Sequence, residues 1–94
     1  MTTFFMFGSY SKDSIREISP KRTEKTVDLL KQNGGKLKAG YALLGEYDLA
    51  LIVELPDTEQ AIKTSVALSK MTGIAFTTAP AITVEEFDKI TKDL

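Results

Sequence analysis

The chain has 94 residues, neither cysteine nor histidine, and a formal net charge of −1 from 12 basic and 13 acidic side chains. That length makes one domain over residues 1–94, and the missing residue types remove disulfides, thiol nucleophiles, the usual general base and transition-metal ligation, so neither metal nor cofactor is expected. Residues 1–47 carry eight basic and five acidic side chains and residues 48–94 carry four and eight, a split that an interleaved fold mixes over one surface, so nucleic acid is not an expected partner.

The chain opens apolar at Phe4-Phe5-Met6-Phe7, without the basic leader or small-residue cleavage site of a secretory signal. No apolar run is long enough to span a bilayer. The expectation is a cytoplasmic protein without membrane contact. Thr2 to Tyr10 is aromatic and β-branched with apolar side chains on both parities, which predicts a strand buried on both faces. Between Ser11 and Ser19 the spacing of Ile15 and Ile18 suits one helical turn. Ser19 before Pro20 marks the start of the first long helix, to about Gln32, with Thr23, Val27 and Leu30 inward and Asn33-Gly34-Gly35 as its end.

Lys36 to Leu44 and Asp48 to Leu55 read as two strands. Leu49, Leu51, Val53 and Leu55 share one parity of the second, Ala50 and Ile52 the other. Tyr41 has the parity of Leu37, Ala39 and Leu43, which predicts that it is packed, and alternating Lys36 and Lys38 suit a solvated edge. Pro56-Asp57-Thr58-Glu59-Gln60 opens a second helix with Asp57 as cap and Gln60 closing a capping box. Its inward stripe reads as Ala61, Ile62, Ser65, Val66, Leu68, Ser69 and Thr72, ended by Gly73. Ile74 to Ile82 is a strand weakened by Pro80, as an edge permits. Thr83-Val84-Glu85-Glu86 then opens a short amphipathic helix bearing Val84, Phe87, Ile90 and Leu94.

This order, β-α-β-β-α-β with a terminal helix, predicts an α+β fold of the ferredoxin-like kind, with a four-stranded antiparallel sheet ordered 4-1-3-2 and both long helices on one face. The other face is left open although two of its strands are apolar there. A second subunit docking sheet to sheet is the expected cover, making the protein its own partner as a homodimer or higher homo-oligomer; the terminal helix is the alternative cover.

Between the middle strands, Gly45 and Asp48 bracket a tight reversal, glycine tolerating positive φ and aspartate bonding its downstream backbone. Gly45-Glu46-Tyr47-Asp48, followed by an apolar strand ending in Glu54, resembles the signature of the GYD-domain family. Ser19-Pro20-Lys21-Arg22 is similar to that family's Ser-Pro-x-Arg segment, and the helix-Gly-Gly-strand spacing through Gly34-Gly35 fits as well. The resemblance implies a ferredoxin-like unit of the dimeric α/β-barrel kind and no established activity.

The predicted topology brings Tyr10, Ser19, Lys21, Arg22, Gly45, Tyr47 and Asp48 to one end of the sheet. One reading is a site for a small anion, held by free N–H groups at the helix start, the Ser19 hydroxyl, Lys21 and Arg22, with Tyr47 lining it. The other is local architecture: Ser19 caps, Gly45 turns, and Asp48 pins hairpin to helix through a bidentate bridge to Arg22. Function divides accordingly. A small-molecule binding or sensing module, as in amino-acid-responsive oligomers of this fold class, is the leading expectation. A cofactor-independent enzyme using Asp48, Tyr47 and Arg22 on an activated carbonyl is the alternative, by fold analogy alone, and a purely structural protein is the third.

Overall fold

A computed structural model describes residues 1–94. In chain order the elements are β1 (Thr2–Ser9), α1 (Lys12–Arg16), α2 (Pro20–Gln32), β2 (Lys36–Ala42), β3 (Leu49–Leu55), α3 (Thr58–Thr72), β4 (Ala75–Ala81) and α4 (Val84–Thr91). The strands form one antiparallel sheet ordered β2-β3-β1-β4, the expected order read from its other edge. In register, Phe4 lies opposite Val53 and Met6 opposite Leu51. These side chains meet Leu30 of α2 and Ala61 and Leu68 of α3 in the buried core. Burying each large apolar side chain contributes roughly 1.5–3 kcal/mol.

The caps follow the sequence. Ser19, Asp57 and Thr83 each accept the N–H three residues on, from Arg22, Gln60 and Glu86. The boxes expected at Gln60 and Glu86 form only this forward half. The reciprocal box lies instead at Ser11 and Ser14, where two small hydroxyls serve each other's backbone at the start of α1.

Two side-chain assignments differ from the sequence reading. On α3 the buried residues are Ala61, Thr64, Leu68 and Thr72, while Ile62 and Val66 face solvent. Thr64 can be buried because its hydroxyl accepts a hydrogen bond from the Asn33 side-chain amide at 2.9 Å, tying the end of α2 to α3, and that rotates the helix away from Ile62. On β2 a bulge at Lys38 shifts register between Leu37 and Ala39. Beyond it Gly40 lies opposite buried Leu51 and Tyr41 opposite Ala50, so Tyr41 is turned to the open face and is 59% exposed rather than packed. The bulge also lets Lys36 and Lys38 both reach Glu54, at 3.4 and 3.9 Å.

The open face carries Phe5 and Phe7 of β1, each half-buried, beside Ala50 and Ile52 of β3. α4 does not cover it. None of α4's residues is buried, and the radius of gyration is 14.3 Å where a compact chain of this length gives about 12 Å.

Candidate functional site

At the end of the sheet where β1 leaves into Tyr10, four hydrogen bonds and one cation–π contact order the surrounding elements. The Ser19 hydroxyl caps α2 by accepting the Arg22 N–H at 3.1 Å. The Arg22 guanidinium donates to the Ser14 carbonyl, linking α2 to α1, and lies over the Tyr10 ring with its carbon 5.5 Å from the centroid. Such cation–π placement favours a fixed guanidinium without neutralising its charge. The Tyr10 N–H in turn donates to Asp48 Oδ2 at 2.9 Å, and the Asp48 N–H donates to the Gly8 carbonyl at 2.9 Å.

The Arg22–Asp48 bridge expected from sequence is not formed. Asp48 is engaged by the backbone where β1 ends, and no carboxylate pairs with Arg22. Arg22 is thus a half-buried cation whose partners are a carbonyl and an aromatic ring.

Beside it opens a cavity of about 260 Å³ between α2 and the helix side of the sheet. Leu49, Leu51, Ile74 and Phe76 make its apolar floor, and the β2 stretch Gly40 to Ala42 makes one wall. Tyr10, Ser19, Arg22, Thr23 and Thr26 line it from the other side, with Ile18. No acidic side chain lines it. Space exists there because Gly40, which the bulge turns toward Leu51, has no side chain; a Cβ at that position would sit 3.2 Å from a Leu51 methyl.

The sheet divides the residues that the sequence groups together. Tyr10, Ser19 and Arg22 face the cavity. Tyr47 does not: its ring lies tilted by 35° against Phe7, centroids 5.2 Å apart, and Phe7 is likewise tilted against Phe5 at 6.3 Å, extending the aromatic surface of the open face. Lys21 lies with Lys25 and Glu17 around a shallower outer depression that also touches Ser19 and Arg22. Gly45 has a φ of 137° with open space around it, which suits a turn. Asp48 joins hairpin to β1 and lines neither depression.

The proton-transfer trio of Asp48, Tyr47 and Arg22 is therefore not assembled. What sequence reasoning missed is the apolar half of the cavity. A signal existed in Ser19, Thr23 and Thr26, which recur at helical spacing on one side of α2 where an all-apolar stripe would otherwise be expected.

Against this geometry, the family model of the GYD domain matches residues 4–91. The chain belongs to the GYD-domain family. No curated protein sequence matches it. Among solved structures, this GYD domain is similar to FFRP-DM1, with a TM-score of 0.63 and 25% identity, over 87% of this chain and 100% of that one. It is also similar in fold to the Mycobacterium tuberculosis leucine response regulatory protein LrpA, with a TM-score of 0.58 and 8% identity over 87% of this chain. The GYD chain spans about half of that protein, 51% of its length.

Proposed function

We propose that this GYD domain is a self-associating small-molecule binding module that takes an anionic metabolite with a compact apolar body. The observation that carries the reading is the cavity beside Arg22: an apolar floor, hydroxyls along one wall, and a cation that no carboxylate neutralises. A carboxylate placed there gains charge-assisted hydrogen bonds, and the floor removes its apolar part from water. At about 260 Å³ the space falls just below the roughly 300–1,000 Å³ of ligand pockets, which favours a metabolite over a large cofactor. Ligand response is also what the mycobacterial neighbour's name describes, although that likeness is one of fold.

Self-association is supported by the open face. Phe5, Phe7, Tyr47, Tyr41, Ala50 and Ile52 make a contiguous apolar surface that neither long helix nor α4 covers, and such surfaces on soluble domains mark interfaces. Sheet-to-sheet docking of two copies, as in a dimeric α/β barrel, is the arrangement that this surface favours. The enzyme reading has no comparable support, since Asp48 is held by the Tyr10 N–H and Tyr47 lies on the opposite side of the sheet.

The test is calorimetric titration with a series of aliphatic and aromatic monocarboxylates, run in parallel on the Arg22→Met variant. Methionine keeps the stem and removes the charge. The expected result is binding by the parent and a roughly 10–100-fold loss in the variant, the range set by a charged hydrogen bond of about 1.5–3 kcal/mol, with the far-UV circular dichroism preserved. Equal affinity in both proteins, or no carboxylate bound by the parent, would sink the reading.

A further inference from the structure

We infer that α4 is an exchanged arm whose apolar stripe docks in the groove between α3 and β4 of a second copy of this chain. The inference rests on the self-association reading and gives it a second contact, separate from the sheet face.

Two surfaces in the protomer lack partners. On α4, Val84, Phe87 and Ile90 recur every three residues and are 74%, 53% and 68% exposed. On α3, Ile62 and Val66, one helical turn apart, are 61% and 56% exposed. They form the outer ridge of a groove of about 240 Å³, lined on its inner side by Phe4, Phe76 and Pro80. It continues along α3 to Ser69 and Lys70. From Ile62 to Lys70 the ridge spans nine residues against the eight of α4, so at 1.5 Å per residue the two are of similar length, about 12–14 Å.

Charge matches as well. The molecule's ion pairs are Lys36 and Lys38 with Glu54, and Lys89 with Glu85. That leaves Lys63 and Lys70 beside the α3 ridge without acidic partners, outnumbering the one unpaired carboxylate there, Glu59, and leaves Glu86 and Asp88 beside the α4 stripe without basic ones. Opposite unpaired charges flanking two apolar stripes favour this pairing over others. A lipid surface is the wrong counterpart, because acidic residues outnumber basic ones on α4 and membrane-surface helices carry lysine and arginine on the polar face.

The occupant of the groove is a partner's arm rather than the chain's own. Only Ile82 and Thr83 join β4 to α4, no residue of α4 is buried against its own body, and the molecule is elongated to 50 Å along its longest axis. β4 is an edge strand, so an arm from a copy docked on the open face has a free edge to pass around. A two-fold axis then makes the contact reciprocal, each arm lying in the other's groove.

The chain's lack of cysteine makes site-directed cross-linking unambiguous. Full-length Phe87→Cys protein is mixed with affinity-tagged Val66→Cys protein and treated with a short bismaleimide. The expected product is the mixed cross-link, in excess over either self-linked species. In sedimentation, the full-length Ile90→Asp variant is expected to show a dissociation constant at least tenfold above the parent's. Three results overturn the arm. One is self-linking of the Phe87→Cys protein as the main product, which would pair the arms with each other. Another is an intramolecular link in a Val66→Cys/Phe87→Cys double variant, which would fold the arm onto its own groove. The third is a parent dimer that Ile90→Asp leaves unchanged and that gives no mixed product, in which case self-association survives without the arm. A parent that stays monomeric at all concentrations overturns both readings.

Discussion

Replacing Gly35 by alanine is expected to destabilise the fold by about 3 kcal/mol or more, among the largest effects of any single methyl group in this chain. The cause is contact, not conformation. A Cβ at Gly35 would lie 2.1 Å from the Glu54 carbonyl oxygen and 2.6 Å from a Leu55 methyl. Here the chain leaving α2 turns into β2 directly against the end of β3, and the Gly35 N–H donates to the Leu30 carbonyl at 2.8 Å. Accepting the methyl means moving either a core strand or the helix terminus, and close-packed interiors resist both. The preceding Gly34 serves differently, with a φ of 81° that turns the chain out of the helix. Urea unfolding of Gly35→Ala beside the parent measures the cost. A loss below about 1 kcal/mol would show that β2 gives way freely and that the helix-strand junction is softer than its packing implies.

The second large effect concerns assembly. Phe7→Asp is expected to leave the protomer folded and to dissociate the oligomer, raising its dissociation constant by roughly a thousandfold or more. Phe7 sits at the centre of the open face, between Phe5 and Tyr47 and opposite Ala50 and Thr77 on the neighbouring strands. In the free protomer it is only half-buried, so a carboxylate there stays hydrated. In a sheet-to-sheet interface it would be enclosed among apolar side chains, and an unpaired buried charge costs several kcal/mol, about 4 kcal/mol corresponding to that thousandfold. Sedimentation velocity across a concentration series gives the readout, with circular dichroism confirming the fold. An oligomer that tolerates the substitution would place the interface elsewhere on the molecule.

Much of the architecture could be read from local chemistry. Ser19-Pro20 and Asn33-Gly34 bound α2 at the residues found, because a cap with proline and a glycine exit each act through their own backbone. Gly45 turns the hairpin for the same reason, whereas the Asp48 carboxylate, expected to bond the backbone just after it, accepts instead from the distant Tyr10 N–H. What escaped depends on which way a side chain is turned, and that is set at a distance. The Lys38 bulge adds one residue to β2 and so reverses the face of everything after it, which took Tyr41 out of the core and brought Gly40 into the cavity. On α3, Ala61, Leu68 and Thr72 on one side and Ile62 and Val66 on the other make nearly equal stripes. The choice falls to a hydrogen bond from Asn33, thirty-one residues away, which lets Thr64 be the buried one. The site was half legible: Tyr10, Ser19 and Arg22 do come together, whereas Tyr47 belongs to the other side of the sheet and Asp48 bonds to backbone before it can meet Arg22.

Tyr10 stands where those two sides meet. Its ring supports the Arg22 guanidinium, and its N–H is held by Asp48, the residue next to Tyr47. A ligand pulling on Arg22 and a partner subunit pressing on Tyr47 would act on opposite ends of one short chain of contacts. Thermodynamic linkage then requires reciprocity: if assembly tightens ligand binding, ligand must tighten assembly by the same factor. Affinity measured below and above the assembly midpoint would differ, and the protein's own abundance would set its sensitivity.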